Sequence, residues 1–136
     1  VKVSEEEVAF LIGETDMAAG AQKLHALGPR LVFVTLGPAG CFYSAGGHAG
    51  YMPTYDLVVK DTTGAGDAFM GGILASVVES GKPLDALLTP DALENMVDFA
   101  NAVGALATTR SGGVRSMPLP EEIVTCRATA EKLILT

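Results

Sequence analysis

The sequence has few positive charges. Only nine lysines and arginines are scattered over 136 residues, and the formal net charge is −7. Nucleic acids are held by clustered Lys and Arg side chains, so we expect no nucleic-acid partner. An acidic chain can still bind ATP, because the nucleotide arrives with a divalent cation and its phosphates are held locally by backbone N–H groups.

Cysteines and long apolar runs are also scarce. Cys41 and Cys126 are the two cysteines, and they lie far apart without CxxC spacing. This argues against a disulfide framework or a zinc site and predicts two small buried side chains in a reducing compartment. No apolar run approaches the roughly 20 residues that a membrane span needs, and no signal-peptide pattern is present. We therefore expect no membrane partner and a cytoplasmic location.

The remaining composition is that of a globular domain. Apolar residues make up 49% of the chain and charged residues 18%, which is enough to bury a core. No repeat or linker divides the sequence, so residues 1–136 are predicted to form one unit. Val1-Lys2-Val3 is typical of the end of a buried strand, and we expect the chain to be a fragment.

Local patterns in the first half predict helices and strands in alternation. Ser4 and Glu7 have the spacing of a capping box before a short helix. A second helix is predicted at 16–27, and the apolar run 31–36 is typical of a strand covered on both faces. Tyrosines and valines broken by glycines at 41–60 predict short strands and hairpins.

The second half is mainly helical. Apolar residues lie all around the helical wheel at 66–80, which predicts a buried helix, and Gly71-Gly72 within it predicts close backbone packing. A long helix is expected from Thr89 to about Thr109, and a last one near Glu121. Strands alternating with helices predict an α/β layered fold.

The run VVKDTTGAGDAF at 58–69 carries the chemistry. We expect a strand to end there, a glycine turn to follow and the buried helix to begin at once. Such a turn directs backbone N–H groups outward at the positive end of a helix, and Gly64 and Gly66 let an anion approach without a Cβ clash. Asp67 lies on the rim, where the helix dipole keeps its carboxylate ionised and able to accept a proton.

Two interpretations of Asp67 stand at this point. It is a general base for phosphoryl transfer to a hydroxyl, or it only caps the helix while the glycines shape the turn. Two other phosphate motifs are excluded by spacing. A dinucleotide fingerprint needs a third glycine where Phe69 stands, and a P-loop needs Gly-Lys-Ser/Thr, which is absent.

The stretch DTTGAGDAF at 61–69 resembles the second signature of the ribokinase-like (PfkB) carbohydrate kinases, and most closely that of fructokinases. Three further stretches match this family in order: KVSEEE at 2–7, VTLGPAG at 34–40 and FANAVGAL at 99–106. The resemblance implies a layered α/β fold with helices on both faces of a mostly parallel sheet. It also implies that this chain is the C-terminal, nucleotide-binding and catalytic half, without the sugar-binding half.

The resemblance assigns roles to individual residues. Asp67 would be the general base, and the anion hole would consist of Gly64, Ala65 and Gly66. The nucleotide would be bound by Thr35, Gly37, Gly40, Gly66 and Asn101. Small residues around Asn101, namely Ala100, Ala102 and Gly104, would let the purine approach the helix. Without the resemblance, Asn101 is interpreted as a polar residue on a helix surface.

Cation sites are also implied by the resemblance. The positions that match a monovalent cation site are Asp61, Thr63, Ala107, Arg110, Gly112 and Ser116. Arg110 and Ser116 are equally well interpreted as solvated loop residues. Glu7 matches an acid that helps to place magnesium and phosphate, although Ser4 stands where asparagine is usual. Glu7 is also explained as the capping-box partner of Ser4.

The function implied is transfer of the ATP γ-phosphate to a monosaccharide hydroxyl, with fructose as the first candidate. ATP, Mg²⁺ and K⁺ are the implied cofactors, and a homodimer is expected for the complete protein. A 2-keto-3-deoxygluconate kinase, a ribokinase and an inactive nucleotide-binding fragment remain alternatives. A purely structural α/β domain is the remaining interpretation, and it predicts no nucleotide binding.

Overall fold

A computed structural model describes residues 1–135 of the chain; Thr136, the last residue of the predicted unit, lies outside the described residues. Within residues 1–135, four strands and five α-helices are joined by loops and three 3₁₀ turns. The strands are Lys2–Ser4 (β1), Leu31–Thr35 (β2), Cys41–Ala45 (β3) and His48–Met52 (β4). The helices are Glu5–Ile12 (α1), Met17–Ala26 (α2), Ala65–Ser80 (α3), Pro90–Ala107 (α4) and Pro120–Thr129 (α5).

The strands form one sheet in the order β1-β2-β3-β4. β1 is parallel to β2, whereas β2 with β3 and β3 with β4 are antiparallel. Gly46 and Gly47 have φ angles of 56° and 82°, which suits the two-residue hairpin that joins β3 to β4. The sheet within residues 1–135 is therefore mixed, and the mostly parallel sheet expected from the sequence is not seen there.

Side-chain caps fix where three helices begin. At α1 the capping box is complete: the Ser4 amide donates to Glu7 Oε2 at 2.7 Å, and the Glu7 amide donates to Ser4 Oγ at 3.1 Å. Asp16 accepts from the Ala19 amide at the start of α2, and Thr89 from the Ala92 amide at the start of α4. The helix starts predicted at these positions are confirmed.

Helices cover both faces of the sheet, as predicted. On one face α1 and α2 pack against Val3, Val32 and Val34. On the other face α3 and α4 pack against a core that includes Phe33 and Tyr43. Alternate residues of each strand therefore pack against different helix pairs. Because both faces of β2 are covered in this way, its apolar residues are continuous.

The α3–α4 contact depends on one of two adjacent glycines. A Cβ at Gly72 would stand 2.9 Å from the Ala100 Cα, whereas a Cβ at Gly71 would meet nothing within 4 Å. The prediction of close backbone packing is thus confirmed at Gly72 and is wrong at Gly71. The all-round burial predicted for α3 is also wrong, because Leu74 and Val78 are 54% and 78% exposed.

The segment before α3 is irregular. Val58 and Val59 are exposed and form no strand, so the predicted strand end is wrong. Amides of the next two residues, Lys60 and Asp61, donate instead to the carbonyl of Thr108 at the end of α4. These hydrogen bonds attach the segment to a helix terminus rather than to a neighbouring strand.

Both cysteines are buried free thiols, as predicted. Burial raises the pKa of the Cys41 thiol to about 12, so it stays protonated at neutral pH. Among the helices of residues 1–135, none has the length and apolarity needed to cross a bilayer.

Candidate active site

The N-terminus of α3 is built for an approaching anion. Gly64 is the N-cap with a φ of 78°, a conformation that favours glycine, and no side chain caps the helix. Within residues 1–135, the N–H groups of Gly66 and Asp67 have no hydrogen-bond acceptor. Unpaired amides at the positive end of a 16-residue helix form an anion-binding position.

Asp67 is the third residue of α3 and its side chain is exposed. Its carboxylate makes no capping hydrogen bond and no ion pair with any other described residue. The cap-only interpretation of Asp67 therefore lacks the contact that it requires. A carboxylate left free beside unpaired amides is able to accept a proton from a bound molecule.

A cleft of about 480 Å³ begins at this helix terminus. The lining is mainly apolar and comes from the end of β2 and the turn that follows it, the irregular segment between β4 and α3, the first turn of α3, one side of α4 and Leu133. The five residues predicted to bind nucleotide all line it: Thr35, Gly37, Gly40, Gly66 and Asn101. Ala65 of the predicted anion hole also lines the cleft, so its end and the helix terminus are continuous.

Asn101 and Gly40 hold the same piece of backbone. Asn101 is 4% exposed, and its Nδ2 donates to the carbonyls of Met52 at 3.1 Å and Pro53 at 3.2 Å. A Cβ at Gly40 would stand 2.1 Å from the Met52 oxygen, so the approach requires glycine. Asn101 is therefore buried, which corrects the interpretation as a helix-surface residue, and it fixes one wall of the cleft.

The small residues around Asn101 have a different use from the one expected. Ala100 packs against Gly72 of α3, and Ala102 is buried in a cluster with Ala68. Only Gly104 lines the cleft, and a Cβ there would stand 3.3 Å from the Ala65 oxygen. Small residues on α4 thus bring the N-terminus of α3 to the cleft.

The wall of the cleft beside Tyr55 was not predicted from the sequence. The Leu133 amide donates to Thr54 at 2.9 Å, and Tyr55 forms an isolated bridge with Lys132. The C-terminal segment thereby closes the cleft beside Tyr55. Its sequence signal is a run of three apolar residues, Leu133-Ile134-Leu135, and no neighbouring residue indicates what they contact.

A half-buried charge network holds that wall in place. Asp98 accepts hydrogen bonds from Tyr55 at 2.9 Å, Arg127 at 2.9 Å and Lys132, whose ammonium lies over the Tyr55 ring. Although burial acts to raise it, the pKa of Asp98 is lowered by these hydrogen bonds. Burial, together with the Asp98 hydrogen bond, raises the pKa of Tyr55 to about 12.

The loop after α4 folds back to the start of the anion-binding turn. Asp61 Oδ1 accepts the Thr63 amide at 2.9 Å, and hydrogen bonding by the Thr63 amide and side chain, with a smaller effect of the nearby Gly112 amide, lowers the pKa of Asp61. A Cβ at Gly64 would lie 3.6 Å from the Gly113 Cα. Three of the predicted cation-site residues, Asp61, Thr63 and Gly112, therefore lie close together.

The other candidate cation ligands lie in different surroundings. Ala107 and Ser116 are fully buried, and Ser116 Oγ donates to the Gly113 carbonyl at 2.5 Å, so the interpretation of Ser116 as a solvated residue is wrong. The Arg110 side chain forms an ion pair with Glu122. Glu7 Oε2 is engaged in the capping box of α1. Residues 1–135 hold no group of three or more His, Cys, Asp or Glu side chains able to bind a metal ion.

Comparison with known proteins gives consistent matches. The model of the pfkB family carbohydrate kinases matches residues 1–120. A fructokinase of Klebsiella pneumoniae is 39% identical over 125 residues, covering 90% of this chain and 39% of that protein. The fructokinase of Xylella fastidiosa with bound ATP superposes with a TM-score of 0.81 at 32% identity, over 92% of this chain and 41% of that one.

A second solved structure is equally similar. A double mutant of the Vibrio cholerae fructokinase, in a form with bound fructose, ADP and potassium ion, has a TM-score of 0.81 at 32% identity, over 92% of this chain and 39% of that one. The chain thus spans about two fifths of the length of these relatives. Because the family model matches most of the chain, the protein belongs to the pfkB family of carbohydrate kinases.

Proposed function

We propose that this chain is the C-terminal, nucleotide-binding and catalytic part of an ATP-dependent fructokinase. The single observation that carries the proposal is the continuity of the cleft with the N-terminus of α3, where the amides of Gly66 and Asp67 lack acceptors within residues 1–135. The fructokinases that this chain resembles span more than twice its length, so the sugar pocket is assigned to the rest of the protein.

In this proposal the cleft binds the nucleoside and the helix terminus binds the terminal phosphate. A volume of about 480 Å³ with a mainly apolar lining suits a purine nucleoside. Of the predicted anion hole, the amides of Gly64 and Gly66 would lie beside the phosphate together with that of Asp67 and offset its negative charge, whereas the Ala65 amide donates to the Thr62 carbonyl at 3.2 Å. The Xylella fructokinase, which superposes on this chain, carries bound ATP.

Asp67 would act as the base. It accepts the proton of the sugar hydroxyl while the hydroxyl oxygen forms a bond to the γ-phosphorus. The bond from that phosphorus to the oxygen bridging to the β-phosphate breaks, and ADP leaves with the bonding electrons. The free carboxylate of Asp67 supports this role. Within residues 1–135 it forms no capping hydrogen bond and no ion pair that would have to break before it accepts the proton.

Magnesium would be carried by the nucleotide rather than by a dedicated cluster. Residues 1–135 contain no group of three acidic or imidazole side chains for it, and Mg²⁺ commonly binds phosphates and water. It supplies positive charge to the phosphates when bound. Glu7 Oε2 is used by the Ser4 amide, which leaves Oε1 for the indirect role proposed from the resemblance.

A potassium ion is proposed beside the anion hole. The approach of Asp61 to Gly112, and of Gly64 to Gly113, brings candidate carbonyl ligands and one carboxylate together. Arg110 and Ala107 would contribute backbone carbonyls, since the Arg110 side chain is paired with Glu122. The Vibrio fructokinase double mutant contains a bound potassium ion. A homodimer of the complete protein and a cytoplasmic location stay predictions.

The proposal is tested with the full-length protein that contains this chain. Isothermal titration with ATP-magnesium measures nucleotide binding, and ADP release is then measured with fructose, ribose and 2-keto-3-deoxygluconate. We expect ATP binding and the highest kcat/KM with fructose. Binding without turnover on any of the sugars would contradict the kinase proposal, and absence of ATP binding would contradict the nucleotide site as well.

A further inference from the structure

One lysine projects toward the anion-binding end of α3. Val3 of β1 packs against α1 and α2 on one face of the sheet. Since side chains alternate along a strand, Lys2 lies on the opposite face, as does its register partner Phe33, which packs against Phe69 of α3. The sequence position of Lys2 therefore determines that its side chain runs toward α3.

The ammonium group of Lys2 reaches the first turn of that helix. Its Nζ lies 2.9 Å from the point where a Cβ on Gly66 would stand. Gly66 has no positive φ, so its lack of a side chain is not needed for the backbone conformation. Glycine at this position instead leaves the space that the ammonium group occupies.

This position is electrostatically unfavourable without a ligand. Within residues 1–135, none of the ion pairs involves Lys2, and no acceptor lies within hydrogen-bond distance of its Nζ. A cation beside a helix N-terminus faces partial positive charge of the helix itself. An anion bound between the ammonium and the amides of Gly66 and Asp67 would be attracted by both positive groups and would offset the repulsion between them.

The cleft identifies which part of a ligand lies there. Gly66 both lines the cleft and adjoins the Lys2 ammonium. A nucleotide whose nucleoside occupies the cleft therefore extends its phosphates toward Lys2. We propose that Lys2 is a further residue of the phosphoryl-transfer site, with its ammonium bound to the terminal phosphate oxygens of ATP.

This inference rests on the proposed function. In this proposal Lys2 takes no part in the transfer of the proton that Asp67 accepts. It offsets negative charge on the phosphate before and during transfer, so it contributes to the affinity for ATP and to turnover. Adenosine lacks phosphates and would not contact Lys2, which separates a phosphate contact from a general effect on the fold.

The test uses the full-length protein and the variant Lys2→Met, which keeps a side chain of similar length without its charge. Titrations with ATP and with adenosine, together with kcat for fructose, are compared with the wild type. We expect the affinity for ATP and kcat/KM for ATP to fall about 10- to 100-fold, the range of a hydrogen bond to a charged group. The affinity for adenosine should be unchanged.

Two controls keep the result specific. Lys2→Arg retains the charge and should keep most of the ATP affinity, although its geometry differs. Lys82→Met removes an exposed lysine after the other end of α3 and should behave as wild type. If Lys2→Met does not fold, as judged by circular dichroism, Lys2→Gln is measured in its place.

The outcomes separate the two proposals. Wild-type protein without ATP binding or turnover would overturn the proposed function itself. Active wild type with unchanged ATP affinity and turnover in the uncharged variant would overturn only the role of Lys2. Equal losses for ATP and adenosine would also overturn it, because Lys2 would then shape the fold and not bind phosphate.

Discussion

Adjacent glycines in α3 allow packing and helix propensity to be separated in one experiment. Replacing either glycine with alanine adds one methyl group and the same gain in helix propensity, about 1 kcal/mol. At Gly71 the new Cβ meets nothing within 4 Å. At Gly72 it stands 2.9 Å from the Ala100 Cα and 3.2 Å from Val103 Cγ2. A backbone atom cannot rotate away, so α3 and α4 must move apart.

The expected magnitudes follow from that contrast. Gly71→Ala should stabilise the protein by about 0.5–1 kcal/mol. Overpacking at the other position costs about 1–3 kcal/mol, which offsets or exceeds the propensity gain. Because the propensity gain cancels between the two variants, their difference measures packing alone. At roughly 3–5 °C per kcal/mol for a chain of this size, Gly72→Ala should melt about 3–15 °C below Gly71→Ala.

Urea and thermal unfolding of the two variants check this prediction. Parallel unfolding slopes would show that only stability has changed. The same movement of α3 relative to α4 should weaken ATP binding, since Gly104 of α4 packs against the first turn of α3. Equal unfolding free energies for the two variants would refute the close approach of α3 to α4.

Two further predictions concern charge. If a cation lies beside the anion hole, the full-length enzyme should be faster in potassium than in sodium at equal ionic strength, and Asp61→Ala should abolish the difference; equal wild-type rates in both salts would discard the site. The lowered pKa of Asp98 means that its stabilising effect is present above about pH 4 and is lost as the pH falls through the folded-state pKa. Asp98→Asn should therefore cost about 1–2 kcal/mol at pH 7, and its unfolding free energy should converge with that of the wild type as the pH falls through the folded-state pKa; a difference that stays constant as the pH is lowered would contradict this role of Asp98.

Local signals predicted the helix starts well. Ser4, Asp16 and Thr89 each accept an amide from within the next three residues, so the information is contained in a few neighbouring positions. The left-handed Gly81 ends α3 for the same reason. The family resemblance also depended on contiguous motifs, and the family match confirmed it.

Features that depend on distant partners were not predictable in the same way. Val58 and Val59 have the composition of a strand, but the neighbouring backbone bonds to Thr108, which is about fifty residues away. Asn101 is buried because the carbonyls of Met52 and Pro53 lie opposite it. No window around these residues contains their partners.

The candidate site also combines features that local sequence predicts with features that depend on distant partners. The glycine turn and Asp67 were found from nine adjacent residues, because helix capping and amide orientation are local properties. The wall formed by Tyr55 and the C-terminal segment, and the position of Lys2, depend on strand register and on chain crossings. Side chains alternate between the two faces of a strand, but this predicts the face on which the Lys2 side chain lies only once the pairing of β1 with β2 is known.

The central claim is that Asp67 is the base of a phosphoryl transfer at the N-terminus of α3. Its most direct test is Asp67→Asn in the full-length protein, measured for ATP affinity and for turnover on fructose, with Asp91→Asn as a matched control. Asp91 is also an exposed acid in the first turn of a helix, α4. We expect Asp67→Asn to lower kcat by about 10²–10⁴-fold with ATP affinity nearly unchanged, and Asp91→Asn to keep wild-type turnover. Near-normal turnover of Asp67→Asn would contradict the claim.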